Sequence, residues 1–133
     1  MKVRWMSGSL RLRVSPEEFD ELRSGGEVVE SLGAPGRGGW TATCVVGVHT
    51  GAAIDGGSLT FTLSADDMGK LAQHDVEGLY FADDGPEPFR YYIEKNFPCA
   101  HPHPPEASAM DPHMGTFAPT PSFADRKRKP NCD

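Results

Sequence analysis

The chain has 133 residues, 38% of them hydrophobic, and a formal charge of −6 at neutral pH. That is material for one small domain and a tail, and a net acidic body argues against nucleic acid as a partner. No apolar run reaches the roughly 18 residues of a membrane span, the opening MKVRWMSGSLRLR lacks the apolar core of a signal peptide, and three widely spaced cysteines make no disulfide framework, so a cytoplasmic protein without a membrane partner is expected.

In chain order, Val3 and Trp5 alternate with Lys2, Arg4 and Met6, Ser7-Gly8 turns the chain, and Leu10, Leu12 and Val14 alternate with Arg11 and Arg13. This is the pattern of a hairpin. Ser15-Pro16-Glu17-Glu18 then starts a helix with a serine cap, a proline in the first turn and a glutamate that closes a capping box. Phe19 and Leu22 form its apolar stripe, Gly25-Gly26 stops it, and Glu27 to Leu32 resumes as a strand. Gly33 to Gly39, GAPGRGG, reads as a connecting loop and matches neither glycine-rich phosphate-binding pattern. Trp40 to His49 is the next strand, with Trp40, Ala42, Cys44, Val46 and Val48 on one face and Cys44 an inert core thiol.

Past the Asp55-Gly56-Gly57 turn the chain repeats itself. Shifted by 49 residues, Ser9 falls on Ser58, Leu10 on Leu59, Leu12 on Phe61, Val14 on Leu63, Ser15 on Ser64, Glu18 on Asp67, Phe19 on Met68 and Leu22 on Leu71. Asp67 is the weaker capping partner of the two. Leu79 and Phe81 begin another strand, Asp83-Asp84-Gly85-Pro86 turns it, and Phe89, Tyr91 and Ile93 return.

The expected fold class is α+β, mainly β. Seven short strands and two short helices run ββαβ, ββαβ and a closing strand over residues 1–97, followed by a Pro-rich irregular tail over residues 98–133. The element order resembles the small duplicated, pseudo-symmetric barrels of the double-psi and swapped-hairpin group. A barrel or strongly curved sheet would hide the strand edges; an open sheet with both helices on one face is the rival arrangement. MKVR at the start, SLRLR at Ser9 to Arg13 before a capped helix, and YIEKNFPC at Tyr92 to Cys99 together resemble a family of small bacterial proteins of unknown function. That resemblance covers about residues 1–99, departs at Asn96 and in the tail, and implies a fold but no activity.

Chemistry could reside in three places. Cys99, His101 and His103 alternate along the tail, with His113 further on, and thiolate and imidazole suit zinc or copper, although the spacing lacks the usual paired ligands. Phe117 and Phe123 are apolar anchors in an extended segment, suited to docking in a partner's groove or back onto the body. Arg4, Arg11, Arg13 and Arg90, with Lys2 and Lys95, could gather on one face as an anion site or pair with Glu30 or Glu94. No constellation supplies a nucleophile. The functional expectation is a non-catalytic accessory or protein-interaction domain with an unidentified protein partner. The alternatives are a metal- or anion-binding protein and, less favoured, a swapped-hairpin DNA binder.

Overall fold

Alternation of apolar and charged residues sets the first hairpin, in which β1 (Lys2–Met6) runs antiparallel to β2 (Ser9–Val14) with Trp5 opposite Leu10 and Arg4 opposite Arg11. Leu10, Leu12 and Val14 point inward and are fully buried, while the intervening arginines face out. In this computed structural model the described residues are 1–33, 37–97, 115–118, 120 and 121. After β2 come α1 (Pro16–Arg23), β3 (Glu27–Gly33) and β4 (Gly39–Gly47), then β5 (Gly51–Asp55), β6 (Ser58–Ser64), α2 (Ala65–Leu71), β7 (Gly78–Ala82) and β8 (Arg90–Lys95).

These strands form two four-stranded sheets, ordered β1-β2-β8-β7 and β3-β4-β6-β5. β2 lies parallel to β8 and β4 parallel to β6. Each sheet thus takes the first hairpin of one half and the last two strands of the other. Exchanging the halves converts one strand order into the other, and hydrogen bonds obey the same exchange: Arg90 N–H donates to the Gly8 carbonyl (2.9 Å) and Thr41 N–H to the Gly57 carbonyl (2.8 Å). Gly8 (φ 72°) and Gly56 (φ 56°) supply the positive φ that the two-residue turns before β2 and β6 require.

Two features depart from the expected arrangement. The described strands do not close into a barrel: α1 carries the chain from one sheet to the other between β2 and β3, α2 does the same between β6 and β7, and helix packing bridges these crossings instead of a ladder. Among the described residues there are also eight strands in place of seven. The additional one, β5, reads GAAID, too short and small to show a period, yet it pairs antiparallel with β6. The repeating unit is therefore ββαββ, with β4 in the first copy and β8 in the second.

Both helices are built as their sequences imply. The Ser15 hydroxyl accepts from Glu18 N–H (3.2 Å) and the Glu18 carboxylate accepts from Ser15 N–H (2.9 Å), a closed capping box. Ser64 caps α2 by accepting from Asp67 N–H (3.1 Å). Asp67, one methylene shorter than Glu18, bonds instead to the Thr50 hydroxyl (2.6 Å), which in turn accepts from Ser64 N–H (2.8 Å). Thr50 thus bridges the gap that the shorter side chain leaves. Phe19, Leu22, Met68 and Leu71 enter the core between the sheets, each such side chain stabilising by about 1.5–3 kcal/mol relative to exposure.

Candidate binding site

The two halves differ most where one core position holds a ring and its counterpart a methyl group. On β8, Tyr91 points between the sheets and stacks on Phe81 of β7 at 5.3 Å with the planes 20° apart; Phe89 lies 6.3 Å away and Phe61 5.7 Å. The 49-residue shift puts Ala42 of β4 at the place of Tyr91, and the strand registers put Glu30 of β3 opposite Ala42 as Phe81 is opposite Tyr91. Glu30 puts no ring there either: it lines the space together with Met1, its carboxylate accepting from the Met1 amine (3.2 Å). What two aromatic rings close in one half is a cleft of about 580 Å³ in the other.

The cleft lies between the edge strands β1 and β3. Val3 and Trp5 form one wall, Leu32 and Trp40 the other, and Ala42 and Leu59 the floor. Trp5 and Trp40 meet edge to face across it, ring centres 5.4 Å apart and planes at 66°. They remain 45% and 44% exposed and Leu32 74%, a concentration of solvent-facing apolar surface beside a well-filled core. The polar side chains of the lining are Glu30, Ser31 and Thr41, and the Glu30 carboxylate shares the Met1 amine with Glu18. Cys44, two residues along β4 from Ala42, is wholly buried, and burial, aided by the Glu18 charge, pushes its thiol up to about 12. It is a core side chain with no thiolate to offer.

The arginine set does converge. Arg4, Arg11, Arg13 and Arg90 all lie on the outer face of the β1-β2-β8-β7 sheet, with Arg4 opposite Arg11 and Arg90 opposite Ser9. Glu94 takes Arg13 Nε at 3.2 Å and Arg11 Nη1 at 3.9 Å, whereas Glu30 is turned to the Met1 amine. Lys95 does not belong to this set. It shares the inward parity of Tyr91 and Ile93, is only 6% exposed, donates to the Gln73 carbonyl (2.7 Å) and lies 5.9 Å from the Phe19 ring and 5.7 Å from that of Phe117. Burial lowers its affinity for a proton, with the Asp75 charge acting the other way.

Phe117 docks back onto the body. Its N–H donates to the Asn96 carbonyl (2.8 Å), its ring packs against Phe19 (5.7 Å) and Phe97 (6.0 Å), and Asn96 Nδ2 donates to the Gly115 carbonyl (3.0 Å). Phe123 and the set Cys99, His101, His103 and His113 lie outside the described residues. Among the described residues no group of three or more His, Cys, Asp or Glu side chains could hold a metal ion, and no helix is long and apolar enough to cross a membrane.

Sequence reasoning did not find the cleft, although a signal was present: once the repeat is aligned, Ala42 under Tyr91 is the substitution of a small residue for a large one at a core position. No curated protein and no solved structure matches the chain. Residues 1–113, however, match the family of unknown function DUF7009, a span that runs past Phe97 into the Pro-rich segment, and the chain belongs to that family.

Proposed function

We propose that this protein is a non-catalytic interaction domain that receives an extended apolar segment of a protein partner in the cleft between β1 and β3. The observation that carries this reading is the unfilled core position at Ala42, walled by two half-exposed tryptophans, where the other half of the same fold has a packed Phe81–Tyr91 pair. A volume of about 580 Å³ lies within the usual size of a binding cleft, roughly 300–1,000 Å³. Both flanking strands are sheet edges. A segment laid along either edge would gain main-chain hydrogen bonds and direct alternate side chains onto Trp5, Trp40 and Ala42. The Phe117 side chain is engaged with Phe19 and Phe97, so the cleft, and not that residue, is the apolar surface offered to a partner.

The chain's two tryptophans both line the cleft, which makes their emission a direct reporter of its occupancy. Extended peptides with aliphatic or aromatic residues at alternate positions are titrated while that emission is followed. Saturable shifts are expected for the wild type and none for the double variant Ala42→Tyr/Glu30→Phe, which reproduces the filled half and should keep its circular dichroism and melting temperature. Equal binding to both proteins, or no shift with any peptide, would sink the proposal.

A further inference from the structure

The outer faces of the two sheets offer an internal control, because they share one backbone arrangement and differ in side chains. On the β3-β4-β6-β5 sheet the outward positions are Thr41, Thr43, Thr60 and Thr62, with Val29, Val45 and Ala53 beside them. On the β1-β2-β8-β7 sheet the repeat puts Arg90 in place of Thr41, Tyr92 for Thr43, Arg11 for Thr60 and Arg13 for Thr62, while Arg4 replaces Ala53 and Tyr80 replaces Val29. The fold is satisfied by small neutral strand formers, so packing does not require the arginines. They also work against it: Arg4 is directly opposite Arg11, a like-charge cross-strand pair that destabilises a sheet.

Four of the six arginines in residues 1–97 are on this face, against, among the described residues, the single carboxylate of Glu94. Glu94 is occupied by Arg11 and Arg13, and among the described residues no ion pair is formed by the Arg4 or Arg90 side chain. One cross-strand row reads Arg4, Arg11, Tyr92, Tyr80, four planar groups in succession across the sheet. Tyr80 is 62% exposed and its ring centre lies 5.4 Å from that of Tyr92. Guanidinium forks match phosphate oxygens, and the phenol rings beside them, Tyr80 exposed and Tyr92 half-buried, give bases a stacking surface. Four strands span about 14 Å, room for two or three nucleotides. In a duplex the base faces are already stacked, and the acidic remainder of the body would repel a long one.

We infer that the outer face of the β1-β2-β8-β7 sheet binds single-stranded nucleic acid, with phosphates on Arg4, Arg11 and Arg90 and bases against Tyr92 and Tyr80. The net charge of −6 hides this because the positive charge is segregated onto one sheet.

The test is fluorescence anisotropy of labelled octauridylate RNA and octathymidylate DNA at 50 and 200 mM salt. Binding is expected to weaken with salt at a log–log slope of about −2 for three phosphate contacts. Arg4→Gln/Arg11→Gln should flatten that slope by about 1.4 without lowering the melting temperature, since it removes a like-charge pair and leaves Glu94 its nearer partner, Arg13. Tyr80→Ala should weaken binding about tenfold with the slope unchanged, and Tyr80→Phe should restore it. Preference for either oligonucleotide supports the inference. It is overturned if neither binds at 50 mM salt, or if polyglutamate or anionic vesicles compete as well as the oligonucleotides and Tyr80→Ala changes nothing.

Discussion

Tyr91 and Ala42 occupy equivalent places in the two halves, as do Lys95 and Val46, while the strand core Leu10, Leu12 and Val14 is matched by Leu59, Phe61 and Leu63. Where the halves agree, side chains carry the fold. Where they diverge, the backbone holds constant what the side chains have been free to change, so each difference isolates a feature beyond folding: the cleft, the charged outer face and the buried lysine.

Emptying the filled half should have the largest effect. Tyr91→Ala removes a ring that contacts Phe61, Phe81 and Phe89 and should cost about 3–5 kcal/mol in denaturant unfolding. Ala42→Tyr, its mirror, should be neutral or stabilising; a loss comparable with that of Tyr91→Ala would show that the halves are not interchangeable there. Next come the helix anchors, Phe19→Ala and Met68→Ala, each expected to cost about 2–5 kcal/mol. Phe19 should be the larger, because it also holds Phe117 and lies against Lys95.

Lys95→Val copies Val46 and tests the buried charge. Burial depresses the lysine's proton affinity in the folded state, so between that lowered pKa and the unfolded value the unfolded chain binds more protons. Stability should therefore rise with pH in the wild type as alkaline pH relieves the cost of burying the ammonium. The variant should be at least as stable at pH 7 and should lack that rise. An unchanged alkaline rise would assign it to another group. The smallest effects belong to the caps: Ser15→Ala and Ser64→Ala should each cost about 0.5–2 kcal/mol. Thr50→Val should add a loss of about 1 kcal/mol in the second half alone.

Signals that act over a few residues were the legible ones. Ser15, Pro16 and Glu18 announce a capped helix because the partners are within one turn, and alternation in SLRLRV and SLTFTLS gives the buried face directly. Alternation does not say which strand lies alongside, so the parallel pairing of β2 with β8 and β4 with β6, and with it the two-sheet arrangement, could not be read from either strand. β5 escaped because GAAID has one bulky residue, Ile54, and a single one marks no alternation. Lys95 was legible and misjudged: its parity with Tyr91 and Ile93 already placed it inward, apart from Arg90. The cleft is a property of two sheets at once, and no single stretch of sequence contains it.

Because each sheet mixes strands of both halves, an isolated ββαββ unit would leave its first hairpin and last two strands without neighbours and would need a second copy to complete them. Two identical copies would have two identical openings, both filled or both empty. Joining the copies in one polypeptide lifts that constraint, since each position can then vary independently of its twin. The expected stoichiometry is accordingly one occupant per chain, at Ala42, with the site around Tyr91 permanently occupied by the protein's own rings.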